Sequence, residues 1–295
     1  MSGHGGRRLL EPVLADDALL ADIAASRSAG GLRIWWLGQS GYLVQWQGRH
    51  ALLDPYLSDS LTEKYSTTDL PHVRMTRRPV APERLDFVDL VTASHHHTDH
   101  MDPQSLTPIM RANPGATFVA PVAHRHLASS RAGLAPEALV GVDDGDEVAH
   151  AGFCLHAMAS AHEALERDEA GHCKYLGFIL RCGPWTLYHS GDTLVYPGLV
   201  ERLRPWSVDV ALLPINGRAA GGRVAANMDG QEAAALARAS GVGLAVPCHY
   251  EMFTFNTVPP EAFVRAAQRL GQPYRVLRGG ERLDLPAALA PPAWG

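Results

Sequence analysis

Four residues between positions 95 and 100 are of types that together bind metal ions. The pattern H-x-H-x-D-H is formed by His95, His97, Asp99 and His100. Imidazole and carboxylate groups suit zinc, iron and manganese. A solvated loop or a purification tag can also be rich in histidine, but a tag lies at a terminus and does not alternate with aspartate. The density of donors therefore predicts a metal site.

Three further candidates each follow an apolar stretch: His162, Asp192 and His249. Each has an ordinary explanation too, as an exposed loop histidine, a turn aspartate after glycine, and a core histidine with its hydrogen bonds satisfied. The first motif follows the β-prone residues 90–93, so all of these candidates close predicted strands. Strand ends are where α/β sheets place their chemistry. Their joint occurrence predicts that they share one rim with the H-x-H-x-D-H motif.

The elements that must position these residues follow from apolar runs and turn residues. Residues 32–37, 42–46 and 49–53 are predicted to form an antiparallel meander. Further strands are expected at 116–120, 140–142, 147–149, 153–158, 176–181, 185–188, 208–215, 244–247, 274–277 and 282–285, and helices at 103–110, 122–131, 229–240 and 260–270. Two β-layers covered by helices explain this order, so we predict an α/β fold, a four-layer αββα sandwich. Residues 31–295 should form one domain after a helical N-terminal extension at residues 1–30.

Residues 56–85 are polar, contain three prolines, and are predicted to form a long loop. Loops of this length are usually functional or disordered. Because this one lies between two motifs, we expect it to wall the site. Its polarity argues against the apolar entrance that a membrane-lipid substrate would need.

Composition excludes several classes of function. The 295 residues are 46% hydrophobic and 19% charged with a net charge of −5, which indicates a sizeable core and no basic face for nucleic acid. We see no signal peptide and no window of about 20 apolar residues that would span a membrane. The four cysteines lack C-x-x-C spacing and should be free thiols, although Cys248 could approach a metal. We expect a cytoplasmic protein with a small-molecule substrate, no nucleic acid and no membrane.

The order of motifs resembles that of the metallo-β-lactamase superfamily of metal-dependent hydrolases. It comprises the meander, Asp54 after the third strand, H-x-H-x-D-H, and then His162, Asp192 and His249, across residues 32–285. Residues 35–38, 188–192 and 247–250 look like those of the L-ascorbate-6-phosphate lactonase subgroup. That lactonase carries an acidic residue where this chain has His162, which restores the commoner ligand set of the superfamily. The resemblance implies the αββα sandwich of the metallo-β-lactamase type.

Two metal sites are implied by the resemblance. The ions would be held by two triads that Asp192 bridges: His95, His97 and His162 for the first, and Asp99, His100 and His249 for the second. Asp54 would accept a hydrogen bond from a ligand imidazole and fix its orientation. His189 would either do the same or only pack.

The function implied is hydrolysis by a hydroxide shared between two divalent ions, zinc or manganese. Asp99 would orient the water and shuttle its proton, and the substrate would be a lactone of a small polar sugar acid. The side chains expected to contact the substrate are Gln39, Tyr175, Asn216, Arg218 and Tyr250, with Arg218 suited to a phosphate or carboxylate.

Three alternatives remain at this stage. The first is a phosphodiesterase of the same fold, of phospholipase D or cyclic-nucleotide type. The second is a metal-binding protein without catalysis, against which the complete ligand set argues. The third is a di-iron oxidoreductase, which would replace a histidine of the motif with glutamate and add a flavin domain. The subgroup resemblance also suggests a homo-oligomer.

Overall fold

Two β-sheets lie face to face in the computed structural model of the chain, which describes residues 9–218 and 226–286. The first sheet contains, in spatial order, β13 (Arg282–Leu285), β1 (Leu32–Gly38), β2 (Gly41–Trp46), β3 (Arg49–Leu53), β4 (Leu90–Thr92), β5 (Thr117–Pro121) and β6 (Val140–Val142). The second contains β12 (Leu244–Cys248), β11 (Val210–Pro214), β10 (Trp185–His189), β9 (Leu176–Cys182), β8 (Phe153–Ala159) and β7 (Glu147–His150).

Helices cover the outer face of each sheet. In chain order, the helices of the described residues are α1 (Asp16–Ser26), α2 (Ser60–Lys64), α3 (Pro103–Ala112), α4 (Arg125–Ala132), α5 (Leu199–Leu203), α6 (Gly230–Ser240) and α7 (Glu261–Leu270). The short helix α2 lies on neither outer face, because its Leu61 packs with Tyr56, Met252 and Phe253. α1, α3 and α4 pack on the first sheet, and α5, α6 and α7 pack on the second. The predicted four-layer αββα sandwich is therefore confirmed. Within the described ranges, no helix has the length and apolar character needed to cross a membrane.

β1 shows why the strands of this fold are apolar on both faces. Side chains alternate along a strand, so Ile34 and Trp36 enter the core between the two sheets. Trp35 and Leu37 enter the separate core between the first sheet and its helices. Both faces exclude water, which explains the nearly continuous apolar run of the sequence.

Capping residues fix the ends of the helices. The Asp229 side chain accepts hydrogen bonds from the backbone N–H groups of Gln231 and Glu232 and completes a capping box at the start of α6. Gly271 ends α7 in the left-handed conformation, with φ of 62°. Both boundaries agree with the sequence-based prediction to within one residue.

Three predicted elements differ from the structure. Residues 274–277 are not a strand, because only Tyr274 pairs with the sheet, in an isolated bridge to Ala245. The predicted helix at 122–131 is divided into a 3₁₀ turn, Val122–His124, and α4, because His124 leaves the helical region with φ of −116°. The segment 56–85 is not entirely loop, since it contains α2 and the 3₁₀ turn Pro82–Arg84.

The predicted N-terminal helix is α1, and residues 1–8 lie outside the described residues. Leu19 and Ile23 of α1 are buried in the same core as the helices on the first sheet. The Trp35 indole and the Arg282 guanidinium both donate to the carboxylate of Asp22, at 2.8 Å and 2.6 Å. The extension is thus packed into the helical layer of the first sheet.

Strand direction brings the candidate residues to one rim. β10, β11 and β12 run parallel to one another. β8 and β10 are both antiparallel to β9, so β8 runs in the same direction as β10. In the first sheet β3 and β4 are parallel to each other. The carboxyl ends of these strands carry Asp54, residues 94–100, His162, Asp192 and His249.

Candidate metal centre

Asp54 organises the start of the H-x-H-x-D-H loop. Its Oδ1 accepts the backbone N–H of Ser94 at 2.9 Å, and its Oδ2 accepts the Ser94 hydroxyl. His100 donates from Nδ1 to the same Oδ2 at 2.8 Å. All three residues are fully buried. The carboxylate therefore fixes both the loop backbone and the ring of His100.

His95, His97 and His162 form the first group of donors. One nitrogen of each lies within 4.8 Å of the others. His162 reaches the motif from the end of β8, and its Nδ1 lies 2.9 Å from the carbonyl oxygen of Ala226. A proton on Nδ1 donated to that carbonyl leaves the lone pair of Nε2 facing the cluster.

Asp99, His100 and His249 form the second group, again with one donor atom each within 4.8 Å. Nε2 of His249 lies 3.4 Å from Oδ2 of Asp99. The amide of Gln39 donates to the same Oδ2 at 2.7 Å and lies 2.9 Å from Nε2 of His249. Gln39 thus contacts both Asp99, which the loop carries, and His249, which follows β12 of the second sheet.

Asp192 lies between the two groups. Its Oδ1 is 3.3 Å from Nε2 of His100, while its Oδ2 is 3.2 Å from Nε2 of His249 and 3.6 Å from Nε2 of His162. The residue before it is Gly191, with φ of +57°. A Cβ at Gly191 would meet the carbonyl oxygen of Leu176 at 2.6 Å and Cβ of Ser94 at 2.9 Å. Only glycine lets the end of β10 approach the loop this closely.

The electrostatics of the cluster favour bound positive charge. Burial acts against protonation of His249, but the carboxylates of Asp192 and Asp99 outweigh it and raise the pKa of His249 to about 9. Burial also acts against charge on Asp192, yet His100 and His249 hold the pKa of that carboxyl well below its usual range. Two buried carboxylates facing imidazoles thus need cations, whether protons or metal ions.

In the first group of donors, burial outweighs the neighbouring carboxylates and lowers the pKa of His95 and His97, the opposite of the result for His249. Burial, with smaller contributions from His100 and His97, holds the pKa of His95 well below its usual range. Burial lowers the pKa of His97 to about 4. Both rings are therefore neutral at physiological pH, the form in which imidazole ligates a metal ion.

Buried polar atoms without a hydrogen-bond partner test whether metal ions fit between the donor side chains. Nε2 of His100 and Oδ1 of Asp192 are buried and have no hydrogen-bond partner within the described residues. They lie 3.3 Å apart and face each other without the alignment of a hydrogen bond. Buried polar atoms are rarely left unpaired, and a divalent ion would satisfy both. The donor set fits the implied metal ions.

Three residues of the site have left-handed backbone conformations that non-glycine residues rarely adopt. Gln39, Asp54 and His249 have φ values of 50°, 42° and 61°. The backbone N–H of His249 donates to the carbonyl of Gln39 at 3.0 Å, which joins the two sheets at the site. Strain of this kind is concentrated at functional sites.

A cavity of about 540 Å³ opens over the cluster. Its floor includes His97, Asp99, Asp192 and His249. Three amide side chains lie on another side: Asn216, Asn227 and Asn256. The rest of the lining is mixed. Its apolar and aromatic side chains are Leu61, Tyr65, Leu70, His72, Phe253 and Phe255, and its polar ones include Lys64, Thr68, Asp69, Thr98 and Arg131. The volume is that of an ordinary small-molecule site.

The loop at residues 56–85 walls the site, as expected, and it contributes both apolar and polar side chains to the cavity. Leu61, Tyr65 and Leu70 come from this segment and line the cavity. Lys64, Thr68 and Asp69 of the same segment also line the cavity, so its contribution to the lining is mixed.

Of the five expected substrate contacts, Asn216 lines the cavity. Gln39 lies beside the cavity, and its amide is within hydrogen-bond distance of Asp99 and His249. Tyr175 packs its ring on His95 and His162, with centroids 5.3 Å and 5.4 Å away. These three residues belong to the site or its immediate support.

Arg218 and Tyr250 require correction, because neither lines the cavity. The Arg218 guanidinium forms a two-pronged ion pair with Glu232, at 2.9 Å and 3.0 Å, instead of pointing to an anionic substrate. Tyr250 is buried, stacks on Trp36 with centroids 4.6 Å apart, and donates its hydroxyl proton to the carbonyl of Leu277.

His189 and Cys248 also lie away from the donor atoms. Nε2 of His189 lies 2.8 Å from the carbonyl of Ser40, and its ring meets the edge of Tyr42. Of the two roles considered for His189, the structure supports packing. Cys248 belongs to none of the donor groups, and burial raises the pKa of its thiol.

Sequence reasoning missed the aromatic residues that line the cavity and the amides Asn227 and Asn256. Asn227 donates to Oδ1 of Asn216 at 3.0 Å, and Asn216 donates to Oδ1 of Asn256 at 3.0 Å. An available signal was the clustering of Phe253, Phe255 and Asn256 directly after His249. Residues that follow a ligand at a strand end enter the loop that borders the site.

Comparison with known proteins agrees with this geometry. A family described as the beta-lactamase superfamily domain matches residues 33–249. A "UPF0173 metal-dependent hydrolase" of Rubrobacter xylanophilus is 29% identical over 265 residues, covering 86% of this chain and 97% of the relative. One of Opitutus terrae is 30% identical over 258 residues, covering 86% of this chain and all of the relative. Neither name states a lactone or any other substrate.

The fold is shared with solved structures. Igni18, described as a novel metallo hydrolase from the archaeon Ignicoccus hospitalis, superposes with a TM-score of 0.63 at 22% identity, covering 86% of this chain and 98% of that one. The match to the family domain spans most of the chain, and the curated relatives align over nearly their whole length. The chain therefore belongs to the beta-lactamase superfamily and, within it, to the UPF0173 metal-dependent hydrolase family.

Proposed function

We propose that this metal-dependent hydrolase binds two divalent ions and opens a carbonyl substrate, a lactone or a related ester. The coarse activity comes from its family, whose members are named metal-dependent hydrolases. The observation that carries the finer proposal is the convergence of seven donor side chains in two adjoining groups with Asp192 between them. That number of ligands matches a two-metal centre.

The ligand assignment follows from proximity. His95, His97 and His162 would hold one ion, and Asp99, His100 and His249 the other. Asp192 would bridge them, since Oδ1 faces His100 and Oδ2 faces His249 and His162. The donors are nitrogen and oxygen atoms without a thiolate, which suits zinc or manganese.

When bound, such ions lower the pKa of water and polarise the oxygen of a substrate carbonyl. Both carboxylates of the cluster line the cavity, and Asp99 is the more exposed, with 18% of its side chain accessible against 4% for Asp192. It is placed to accept the proton of the attacking water and to return it to the alcohol oxygen released when the ester bond breaks. Gln39, which donates to Asp99 at 2.7 Å, would hold the carboxylate in the orientation for this transfer.

The cavity lining supports acyl over phosphoryl chemistry. Among the described residues that line it and lie outside the donor groups, only Lys64 and Arg131 have side chains that are cationic at neutral pH. Arg131 is occupied by the carbonyls of His96 and Met101, at 2.5 Å and 3.2 Å. Lys64 lies over the ring of Tyr65, 5.1 Å from its centroid. A phosphodiester would therefore find few free cationic groups beyond the metal ions, whereas a neutral carbonyl needs none.

The test combines metal analysis with a substrate panel. The purified protein is stripped with a chelator, reloaded with zinc or manganese, and assayed on a γ-lactone, bis-p-nitrophenyl phosphate and a β-lactam. We expect two equivalents of metal per chain and turnover of the lactone. His97→Ala and Asp99→Asn should each lose most turnover, at least about a hundredfold, because one removes a ligand and the other the proton acceptor.

His150→Ala is the matched control, since His150 ends β7 and does not line the cavity. It should keep wild-type turnover. Hydrolysis of the phosphodiester instead of the lactone would overturn the acyl assignment. Two bound metal ions with no turnover of any compound would favour the metal-binding protein without catalysis.

A further inference from the structure

One wall of the cavity is a stack of aromatic rings that the proposed chemistry does not use. The rings of Tyr65 and His72 are nearly parallel, 13° apart, with centroids at 4.0 Å. The ring of Phe255 lies against His72, with centroids at 4.2 Å. Phe253 contacts the edge of His72 at 5.3 Å. We call these four residues, with Leu61 and Leu70, the aromatic wall.

The histidine of this wall is held as part of an apolar surface. Nδ1 of His72 lies 3.0 Å from the carbonyl of Leu70, and the carbonyl of His72 accepts the hydroxyl of Thr62 at 2.7 Å. These contacts account for one ring nitrogen and fix the plane of the ring between Tyr65 and Phe255. The ring of His72 therefore packs as an aromatic group between two others.

The aromatic wall is also anchored, so its shape exists before a substrate arrives. Backbone hydrogen bonds join Met75 to Met252 at 2.8 Å and Thr254 to Val73 at 3.0 Å, which ties the two segments of the wall together. The buried guanidinium of Arg74 donates to the carbonyls of Ser58 and Thr76, each at 2.7 Å. A preorganised surface binds a ligand without the entropy cost of ordering.

Three amide side chains also line the cavity. Asn216, Asn227 and Asn256 form a chain of amide hydrogen bonds. Asn227 is fully buried, and its Oδ1 has no partner within the described parts of the chain. The cavity thus presents aromatic and apolar side chains, a chain of amides and the donor cluster, with Lys64, Thr68 and Asp69 as further polar lining residues.

We propose that the aromatic wall is a binding subsite for an aryl group, and that the substrate is a neutral aryl-substituted lactone or ester. This inference rests on the proposed function for the position of the scissile carbonyl at the donor cluster. The aryl ring would pack against Phe255 and the edge of His72 in the offset or edge-to-face geometry that aromatic rings prefer. The substrate class therefore differs from the polar sugar acid expected from the sequence.

The experiment uses two lactones that share one scissile bond: γ-phenyl-γ-butyrolactone and γ-methyl-γ-butyrolactone. The metal-loaded protein should hydrolyse the phenyl compound with a kcat/KM roughly tenfold to a hundredfold higher, because small changes in apolar contact give discrimination of this size. Binding is measured separately by calorimetry with the unreactive ethers 2-phenyltetrahydrofuran and 2-methyltetrahydrofuran. We expect detectable affinity for the phenyl ether only.

Phe255→Ala should reduce the preference for the phenyl lactone, measured as the ratio of kcat/KM for the two lactones, at least about fivefold. Phe255→Leu, which keeps more of the packing, should give an intermediate loss and serves if the alanine variant does not fold. The matched control is Phe87→Ala. Phe87 is also a half-buried ring packed on a histidine, His50, but it lines a different cavity, near the opposite end of β4.

The outcomes separate this inference from the proposed function. Equal kcat/KM for the two lactones, with equal binding of the two ethers, would overturn the aryl subsite while the hydrolase stands. Binding of the phenyl ether that depends on Phe255, with neither lactone hydrolysed, would support the subsite and contradict lactone hydrolysis. A loss of phenyl preference in Phe87→Ala equal to that in Phe255→Ala would also overturn the subsite.

Discussion

His100 and Asp54 are fully buried and joined by a hydrogen bond of 2.8 Å between Nδ1 and Oδ2. Because Nδ1 carries the donated proton, Nε2 is the ring nitrogen that faces Asp99 and Asp192. Asp54 also receives both the backbone N–H and the hydroxyl of Ser94, so one carboxylate sets the ring and the loop that bears it. Such supporting carboxylates tune metal affinity without touching the metal.

Asp54→Asn should therefore weaken metal binding about 10- to 100-fold, because the amide keeps one accepting oxygen and its nitrogen can accept from neither His100 nor Ser94. The measurement is a competition titration against a chromophoric chelator. Asp86→Asn, at an exposed position, is the control and should leave the affinity unchanged. Unchanged affinity in Asp54→Asn would show that the hydrogen bond to His100 is not needed for the site.

Removal of metal should destabilise the protein, because the carboxylates of Asp99 and Asp192 then lose their compensating charge. A ligand at 1,000 times its Kd stabilises a protein by about 4 kcal/mol, so the Tm should rise clearly on reloading with zinc or manganese. Differential scanning calorimetry of the stripped and reloaded protein measures this. His162→Ala should show a smaller rise than wild type, whereas an identical rise would exclude His162 from the ligand set.

Gly191→Ala should lower the Tm and reduce metal content together. The new methyl group would meet the Leu176 carbonyl at 2.6 Å and Cβ of Ser94 at 2.9 Å, in a backbone with φ of +57°. Gly271 is a close control, because its φ is +62° and nothing lies within 4 Å of the added Cβ. Left-handed strain of about 1 kcal/mol is common to both variants, so any greater loss in Gly191→Ala measures the close approach. Equal losses would contradict that interpretation.

The sequence predicted the fold and the donor set because both follow local rules. Each donor closes a strand, and strand ends of one direction meet at one edge, so His162, Asp192 and His249 could be placed together from apolar runs alone. The capping box at Asp229, which begins α6, likewise depends only on residues that are neighbours in the sequence. What could be predicted was the part determined within a few residues of each motif.

The remainder depends on contacts between distant segments. Tyr65 and His72 meet Phe253 and Phe255 only because residues 73–75 pair with residues 252–254 in space. Tyr250 was assigned to the site for its position beside His249, but His249 has φ of 61°, and the chain after it directs Tyr250 onto Trp36. Arg218 could not be excluded before its pairing with Glu232, fourteen positions away, was known.

His50 gives a prediction about pH that is independent of the metal centre. It is fully buried on β3, and burial lowers the pKa of its imidazole to about 4, with Arg27 acting in the same direction. The carboxylate of Asp89 and the backbone of Phe87 oppose this lowering without cancelling it. The folded protein therefore keeps His50 neutral where the unfolded chain would protonate it, near pH 6.5.

Since the unfolded state binds the proton more readily, the contribution of His50 is fully present above pH 6.5 and is lost as the pH falls towards 4. The full effect is about 3 kcal/mol. Urea unfolding of the chelator-treated protein at pH 7.5 and pH 4.5 measures it, with His50→Gln in parallel. The difference in unfolding free energy between the two pH values should be smaller in the variant, because the histidines of the metal centre contribute equally to both proteins. Identical pH dependence in wild type and His50→Gln would show that the buried ring does not resist protonation.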